Sequence, residues 1–108
     1  MKLVTAIIKP FDLDNVLTAL VGLGIPNLSV TKTRDYGMQR GAAGASVDRG
    51  LPALKLELAI DEKRLDAVVD VINATAGAGR IGDGNILVAE LQQVISIHTR
   101  EMGLDAVA

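Results

Sequence analysis

The sequence contains no cysteine and no tryptophan, and its large aromatic side chains are limited to Phe11 and Tyr36. Without cysteine the chain can form neither a disulfide bond nor a zinc site that uses thiolate ligands. Because so few aromatic rings are present, a platform on which nucleic-acid bases stack is excluded, and the core must consist of aliphatic side chains. The formal net charge of −2, without a run of basic residues, also argues against nucleic acid as a partner.

Long hydrophobic runs are missing as well. The apolar stretch at the amino terminus is interrupted by Lys9 and Pro10 after about six residues, which is too short for a signal peptide or a membrane span. We therefore expect a cytoplasmic protein. With 49% hydrophobic and 22% charged residues, the chain has enough apolar side chains for the packed core of a single domain over residues 1–108.

The spacing of apolar residues predicts a strand–helix–strand unit at the start of the chain. Lys2–Ile8 is almost entirely apolar, as in a strand with both faces covered. Asp12 is a candidate helix N-cap, apolar residues follow it at helical spacing, and Gly24 stands where that helix would end. Leu28–Arg34, which is rich in valine and threonine, predicts the second strand.

A second unit of similar length follows. Leu54–Ile60 alternates between apolar and polar residues, and Asp61 can cap the next helix. Ile86–Leu91 predicts a further strand, and Val94–Thr99 a shorter one. Together the two units predict an α+β fold, a ferredoxin-like βαββαβ sandwich with both helices on one face and a short extra C-terminal strand. The other face then needs a cover, and for so small a chain we expect self-association.

Residues Gly37–Gly50 show no hydrophobic period and contain four glycines. A segment of this length inside a compact domain is usually functional or disordered. Two interpretations stay open, namely a solvated, disordered insertion and a recognition arm that orders when a ligand or partner binds. The candidate partner-contacting residues in this segment are Met38, Arg40, Asp48 and Arg49.

A second glycine-rich segment, AGAGRIGDGN, occupies residues 76–85. It follows a predicted helix and precedes a predicted strand, which is the reverse of the order in a P-loop or a dinucleotide-binding fingerprint. It is either a flexible turn or a cradle in which bare backbone amides hold an anion. The density of glycine around Arg80 favours the cradle, because exposed amides beside a guanidinium suit a phosphate.

His98 is the only histidine, and no further ligand stands at metal-binding spacing from it. The sequence also shows no pair of a nucleophile and a base. A lone histidine is more often a surface or hydrogen-bonded residue than a catalyst. We therefore expect neither a catalytic site nor a metal site, and we expect that the protein is not an enzyme.

Three motifs carry a family resemblance: AIIKPFDLDNV at 6–16, YGMQRG at 36–41 and GRIGDGNILV at 79–88. Together they resemble the P-II nitrogen-regulatory signal-transduction family, and the likeness extends from Met1 to about Arg100. The resemblance implies a cytoplasmic homotrimer of ferredoxin-like subunits that binds adenine nucleotides in the clefts between neighbouring subunits. A trimer would also cover the sheet face that the helices leave bare.

The resemblance assigns roles to both glycine-rich segments. Residues 37–50 correspond to the T-loop, which contacts transporters, enzymes or transcription factors. Residues 76–85 correspond to the B-loop, which holds phosphates, and residues 100–108 form a C-terminal tail. The nucleotide-binding residues that the resemblance implies are Ser29, Gly37, Gln39, Arg80, Ile81, Gly82, Asp83, Gly84, Asn85 and His98.

The sequence departs from the family pattern at several ligand-binding positions. Asn85 stands in place of a lysine after GDG, and Ser96 and His98 replace two arginines. Each lost charge-assisted contact is worth roughly 1.5–3 kcal/mol, so we expect AMP, ADP or a cyclic nucleotide to bind better than ATP. Ala53 replaces the lysine that pairs with 2-oxoglutarate. Although Gln39 is retained, the sequence gives little support for 2-oxoglutarate or magnesium as ligands. The shorter T-loop also lacks the tyrosine that is uridylylated.

These features predict a non-enzymatic trimeric regulator of nitrogen or carbon metabolism that binds an adenine nucleotide between its subunits. It would act through residues 37–50 on a metabolic enzyme or on a membrane transporter, which would bring it to the membrane. The alternative is a P-II-like protein that has lost nucleotide binding and senses a small anion such as bicarbonate. A ferredoxin-like enzyme would need an acid–base pair, and an RNA-binding module would need aromatic side chains on the sheet, and the sequence shows neither.

Overall fold

A computed structural model of the chain describes residues 1–36, 38–41, 44–47, 50–77 and 85–107. The strands are β1 (Lys2–Ile8), β2 (Ser29–Asp35), β3 (Met38–Gly41), β4 (Gly44–Val47), β5 (Leu51–Ile60) and β6 (Ile86–Glu90). The α-helices are α1 (Leu13–Gly22) and α2 (Leu65–Ile72). Across these described ranges, no helix combines the length and the apolar character needed to cross a membrane.

Four of the strands form one antiparallel sheet in the order β2–β5–β1–β6. β1 is central because it pairs with β5 on one side and with β6 on the other, so that Ala6 lies opposite both Leu56 and Ile86. The predicted mixed α/β architecture is confirmed, and the sheet is consistent with a ferredoxin-like sandwich. β5 begins earlier than predicted, at Leu51 rather than Leu54.

Both helices cover the same face of this sheet, as predicted. β1 directs alternate residues to that face, and the residues of β5 and β6 that pair with them point the same way. The helices add their apolar stripes, and the resulting core is aliphatic, as the composition requires. Its main members, none more than 9% exposed, are Val4, Ala6, Ile8, Val16, Leu20, Leu54, Leu56, Leu58, Ile60, Val68 and Ile72.

The opposite face of the sheet, which we call the open face, is only partly covered by the described residues. β1 contributes Leu3, Thr5 and Ile7 to it, and the residues paired with Thr5 are Glu57 and Leu87. Leu87 is 56% exposed, whereas Leu3 and Ile7 are half-buried. An apolar sheet face that meets water is a candidate association surface.

Each α-helix is preceded by one turn of 3-10 helix, and the two predicted N-caps turn out differently. Asp61 is confirmed as a cap, because its carboxylate accepts a hydrogen bond from the Lys63 backbone N–H at 3.1 Å. The prediction for Asp12 was wrong, since no capping hydrogen bond comes from its side chain. The turn Pro10–Asp12 gives Asp12 helical φ and ψ instead of the extended conformation of a capping residue. Gly24, at φ 77°, follows the end of α1 as predicted.

The segment Gly37–Gly50, predicted to lack regular structure, contains β3 and β4, which form a separate two-stranded ribbon. Met38 pairs with Val47, and Gly41 pairs with Gly44. The prediction was wrong because it relied on hydrophobic alternation, which marks a strand with one face in a core. The ribbon is a two-stranded ladder of its own, and pairing through backbone hydrogen bonds needs no apolar period.

Gly50 marks the point where the main sheet ends and the ribbon begins. The last pair of the main sheet is Asp35 with Leu51, and the first pair of the ribbon is Met38 with Val47. Gly50 immediately precedes β5 and has a left-handed backbone, with φ 80°.

Tyr36 and Arg34 both contact Gly50. A Cβ atom on Gly50 would lie 2.5 Å from Tyr36 Cε1 and 2.6 Å from Tyr36 Cζ, which is closer than two non-bonded carbon atoms can approach. The Arg34 guanidinium donates a hydrogen bond from Nη1 to the Gly50 carbonyl oxygen at 3.1 Å. The root of the ribbon therefore depends on the missing side chain of Gly50.

The stretch Val94–Thr99, predicted as a short extra strand, is not a strand of the sheet. Its pairing within the described residues is an isolated antiparallel bridge between Ile95 and Met102. The Ser96 N–H donates to the Glu101 carbonyl oxygen at 2.8 Å, so the chain turns back on itself between these residues. The alternation of apolar residues here is real, but it belongs to a small C-terminal turn.

The prediction was wrong because apolar residues can also alternate in an exposed turn. β6 ends at Glu90, and the Leu91 N–H donates to the carbonyl oxygen of Met1 at 3.0 Å. After Leu91 the backbone hydrogen bonds are local, because Ser96 bonds with Glu101 and Arg100. These residues therefore find their partners within the turn instead of in the sheet.

We expect Gly50→Ala to destabilise the protein more than Gly103→Ala. Both glycines have positive φ, 80° and 65°, so each alanine would incur the left-handed cost of about 1–2 kcal/mol. A Cβ on Gly103 meets no atom within 4 Å, whereas a Cβ on Gly50 meets the Tyr36 ring. In urea titrations, Gly50→Ala should therefore lose about 1 kcal/mol more free energy of unfolding than Gly103→Ala.

A double variant isolates the ring contact. Combining Gly50→Ala with Tyr36→Ala should recover the excess loss, because the clash is then absent. Equal losses for the two glycine variants would contradict the role assigned to Tyr36.

Candidate functional site

The glycine-rich segment 76–85 ends where β6 begins. The Asn85 carbonyl oxygen accepts a hydrogen bond from the Ile7 N–H at 3.1 Å, which fixes the end of the segment to β1. The Asn85 side chain is exposed beside this anchor. The predicted phosphate-binding residues Arg80, Ile81, Gly82, Asp83 and Gly84 lie outside the described residues, so their role stays a prediction.

The second group of predicted ligand residues lies along β2 and the ribbon. Ser29 is the exposed first residue of β2 and pairs with Glu57 of β5, so both lie on the open face. The Glu57 carboxylate is 3.6 Å from the Lys55 ammonium. A hydroxyl and a carboxylate side by side can accept hydrogen bonds from hydroxyl and amino groups, as on a sugar or a base. The negative charge of the carboxylate repels a phosphate.

The predicted residues of the T-loop segment are only partly described. Met38, Gln39 and Arg40 follow one another in β3, where Gln39 pairs with Ser46. Gly37, Asp48 and Arg49 lie outside the described residues. Gln39 thus lies in the ribbon and outside the main sheet. Its contact with a ligand stays a prediction.

Ser96 and His98 lie in the C-terminal turn. The Arg100 N–H donates to the Ser96 carbonyl oxygen at 2.8 Å, and the Thr99 N–H donates to Ser96 Oγ at 3.4 Å. The Ser96 hydroxyl is therefore engaged with its own turn, and His98 is exposed. Arg100 has φ 60° and is the one described non-glycine residue with positive φ. The turn presents one imidazole where the resemblance implies two guanidinium groups.

The predicted phosphate site has two parts, and the chain reaches them from opposite ends of β6. Asn85 lies beside Ile7, and Leu91 lies beside Met1. Six residue steps along an extended strand separate Asn85 from Leu91 by roughly 20 Å. The segment with Ser96 and His98 leaves the sheet from the Leu91 end. Within the described residues of one chain, the structure does not bring His98 and the glycine-rich segment together.

An ion-pair cluster fastens β1 to β6 at the Leu91 end. Lys2 donates a hydrogen bond from Nζ to Glu90, and it also lies 3.6 Å from Glu62 Oε1. The amino group of Met1 is 3.8 Å from Glu90 Oε1. The hydrogen bond from Lys2 holds the pKa of Glu90 below its usual value of 4.5. The same hydrogen bond raises the pKa of Lys2 above 10.5, against a smaller opposing effect of desolvation.

A small cavity lies where the resemblance expects the lysine for 2-oxoglutarate. Its volume is about 30 Å³, and its lining includes Ile7, Lys9, Asp35 and Ala53. This is room for roughly one or two water molecules. Ala53 stands in place of a lysine here. Among the described residues that line the cavity, the charged groups are the ammonium of Lys9 and the carboxylate of Asp35.

Metal ligands were searched for among the described residues. No group of three or more histidine, cysteine, aspartate or glutamate side chains converges there.

Comparison with known proteins places these features in a family. The profile of the family described as nitrogen regulatory protein P-II matches residues 1–101. The chain belongs to the P-II family. The resemblance inferred from the three sequence motifs is thereby confirmed.

Similar P-II proteins come from several bacteria. Nitrogen regulatory protein GlnK of Escherichia coli strain K12 is 48% identical over 106 residues, covering 94% of this chain and 95% of GlnK. Nitrogen regulatory protein P-II of Rhizobium meliloti strain 1021 is 42% identical over 112 residues, covering 99% and 100%. Nitrogen regulatory protein P-II of Nostoc punctiforme is 43% identical over 114 residues, with the same coverage. All three are regulatory proteins by name.

Sequence reasoning missed two features of this region. The contact of Tyr36 with Gly50 left no hydrophobic signal in the sequence. The shared face of Lys32 and Arg34 could have been predicted, because residues two apart in the predicted strand Leu28–Arg34 point the same way.

We expect the stability contribution of the Lys2–Glu90 pair to depend on pH at both extremes. The folded-state pKa of Glu90 is lowered, so the contribution is present above about pH 4.5 and is lost as pH falls through the folded pKa. The folded-state pKa of Lys2 is raised, so the contribution is complete below about pH 10.5 and is lost as pH rises further. The Tm difference between the natural protein and Glu90→Gln should be largest between these limits.

The effect will be small, because both side chains meet solvent, which screens the pair. Glu101→Gln, which removes an exposed glutamate of the C-terminal turn, is the matched control and should give no such profile. A Tm difference for Glu90→Gln that stays constant from pH 3 to pH 7 would contradict the assignment.

Proposed function

We propose that this P-II protein is a non-enzymatic regulator that assembles as a homotrimer and binds an adenine nucleotide between its subunits. It favours AMP or ADP over ATP, and it controls a transporter or a metabolic enzyme through residues 37–50. The observation that carries the proposal is the separation of Asn85 from Leu91 along β6, because the turn with Ser96 and His98 follows Leu91, at the opposite end of β6 from Asn85.

A second copy of the chain resolves this separation. For one chain to close the site alone, residues 92–98 would have to run back along the whole of β6. In an assembly, the His98 turn of one subunit can meet the glycine-rich segment of its neighbour. The seam between subunits is then the place where both parts of the site are available to one ligand.

Exposed apolar side chains support the assembly. Leu87 on the open face is 56% exposed, and the C-terminal turn presents Ile95 and Ile97 at 60% and 97% exposure. Met102 is 55% exposed beside them. Burying this apolar surface against other copies would be worth roughly 25 cal/mol per Å². The open face and the C-terminal turn are therefore the surfaces that we assign to subunit contact.

The distribution of charge supports an adenine nucleotide with few phosphates. Glu57 beside Ser29 favours the hydroxyl and amino groups of a sugar and a base. Arg80 and the backbone amides that follow it suit one or two phosphates. Because Asn85, Ser96 and His98 supply no permanent cation, these three positions offer a third phosphate no partner with full charge. ATP thus loses the contacts that would raise its affinity above that of ADP.

Calorimetry with AMP, ADP, ATP and cyclic AMP tests the preference. We expect ADP or AMP to bind at least as tightly as ATP, and sedimentation to give three times the chain mass of 11.3 kDa. ATP binding tenfold or more tighter than ADP would contradict the preference, and a monomer would contradict the seam. Binding of none of the four nucleotides would favour the sensing of a small anion such as bicarbonate.

A charge-restoring variant tests which residues set the preference. Ser96→Arg with His98→Arg should increase the affinity for ATP at least tenfold relative to ADP, because one charge-assisted contact is worth roughly 1.5–3 kcal/mol. Gln92→Arg with Gln93→Arg adds the same two charges at exposed positions before the turn and is the matched control. An equal gain in both variants would show a general effect of charge.

A further inference from the structure

A cavity of about 530 Å³ opens beside β2, at the root of the ribbon. Lys32 and Arg34 of β2 line it, together with Pro52 and Leu54 of β5 and with Pro10. This volume lies within the range of roughly 300–1,000 Å³ that is usual for sites of small organic ligands. We propose that the cavity is a second ligand site, for a small phosphomonoester with an apolar body.

The register of the sheet puts Lys32 and Arg34 on the opposite face from Ser29, one of the predicted nucleotide contacts. Lys32 pairs with Leu54, and Arg34 pairs with Pro52. Leu54 belongs to the core on the helix-covered face, so Lys32 and Arg34 point to that side of the sheet. Ser29 pairs with Glu57 and lies on the open face. The two cations therefore point away from the open face, which we assign to subunit contact.

The charge of the cavity selects an anion. Lys32 and Arg34 lie two residues apart on one side of β2, about 7 Å from each other along the strand. Among the described residues that line the cavity, none is acidic. Two cations without a carboxylate match the dianionic charge of a phosphomonoester, and a guanidinium can bind two phosphate oxygens at once.

The rest of the lining selects an apolar body. Pro10, Pro52 and Leu54 present aliphatic surface. A ligand with only a phosphate would leave this surface in contact with water, and a ligand without a phosphate would leave both cations unpaired. The phosphate and the apolar body of the ligand would therefore each contribute separately to its affinity.

Occupancy of this site would reach the ribbon through Arg34. Its Nη1 donates to the Gly50 carbonyl oxygen, and a guanidinium has further N–H groups that can bind a ligand. A ligand that holds the guanidinium therefore also holds the bond to Gly50. The proposal links a small phosphorylated ligand to the segment through which P-II proteins of this kind would contact a target.

Phenyl phosphate is a suitable probe, with inorganic phosphate and phenol as its two halves. In 15N–1H correlation spectra of the full chain, we expect phenyl phosphate to shift the amide signals of Thr33, Ala53, Leu54 and Gly50. Each half alone should bind at least tenfold more weakly. Saturating ADP should leave the titration unchanged, because the seam lies on the other face.

Variants assign the binding to the two cations. Lys32→Gln and Arg34→Gln should each weaken phenyl phosphate about tenfold or more. Lys55→Gln, which removes a lysine from the open face of the neighbouring strand, is the matched control and should leave the affinity unchanged. Lys32 is exposed, so Lys32→Gln tests the site even where Arg34→Gln disturbs the ribbon.

Three results would overturn the proposal. They are the absence of amide shifts at millimolar phenyl phosphate, an equal loss of affinity in Lys55→Gln, and displacement of phenyl phosphate by ADP. The last result would place the probe in the nucleotide seam, whereas the first two leave nucleotide binding untouched. Failure of this inference is thus distinguishable from failure of the proposed function.

Discussion

The hydrogen bonding of β1 on both of its edges is the constraint on which the rest of the structure depends. Its paired residues align β5 and β6, and this alignment sends alternate side chains either into the helix-covered core or onto the open face. β6 pairs with β1 as far as Glu90, and the residues after Leu91 form a turn outside the sheet. Among the described residues, the open face and this turn both expose apolar side chains.

The connection from β2 to β5 shows how a single glycine sets the direction of a long segment. Gly50 combines a left-handed backbone, close contact with the Tyr36 ring and a hydrogen bond from Arg34. These three interactions lie at the point where the sheet ends and the ribbon begins. In the function that we propose, the ribbon contacts the target, and a ligand bound in the charged cavity would act on this root through Arg34.

Much of the fold followed from the sequence, because its strands and helices have one face in a core. The periodicity of Leu54–Ile60 and of the two helices is a direct result of burial, and so is the sharing of one sheet face by both helices. The ribbon and the C-terminal turn could not be predicted in the same way. The hydrogen bonds of both segments are local, and the alternation of apolar residues at 94–99 belongs to an exposed turn rather than to a strand. The site was predicted through three motifs, which identify the P-II family but not how many chains complete it.

The central claim is that two neighbouring subunits complete each nucleotide site. Mixing two inactive variants tests it most directly: Arg80→Glu alters the glycine-rich segment, and His98→Asp alters the C-terminal turn. Each variant alone should bind no ADP, whereas trimers refolded from both should regain binding, because some seams then join an intact Arg80 to an intact His98 of the neighbouring chain. If the mixture binds no more ADP than either variant alone, the site lies within one chain and the account is wrong.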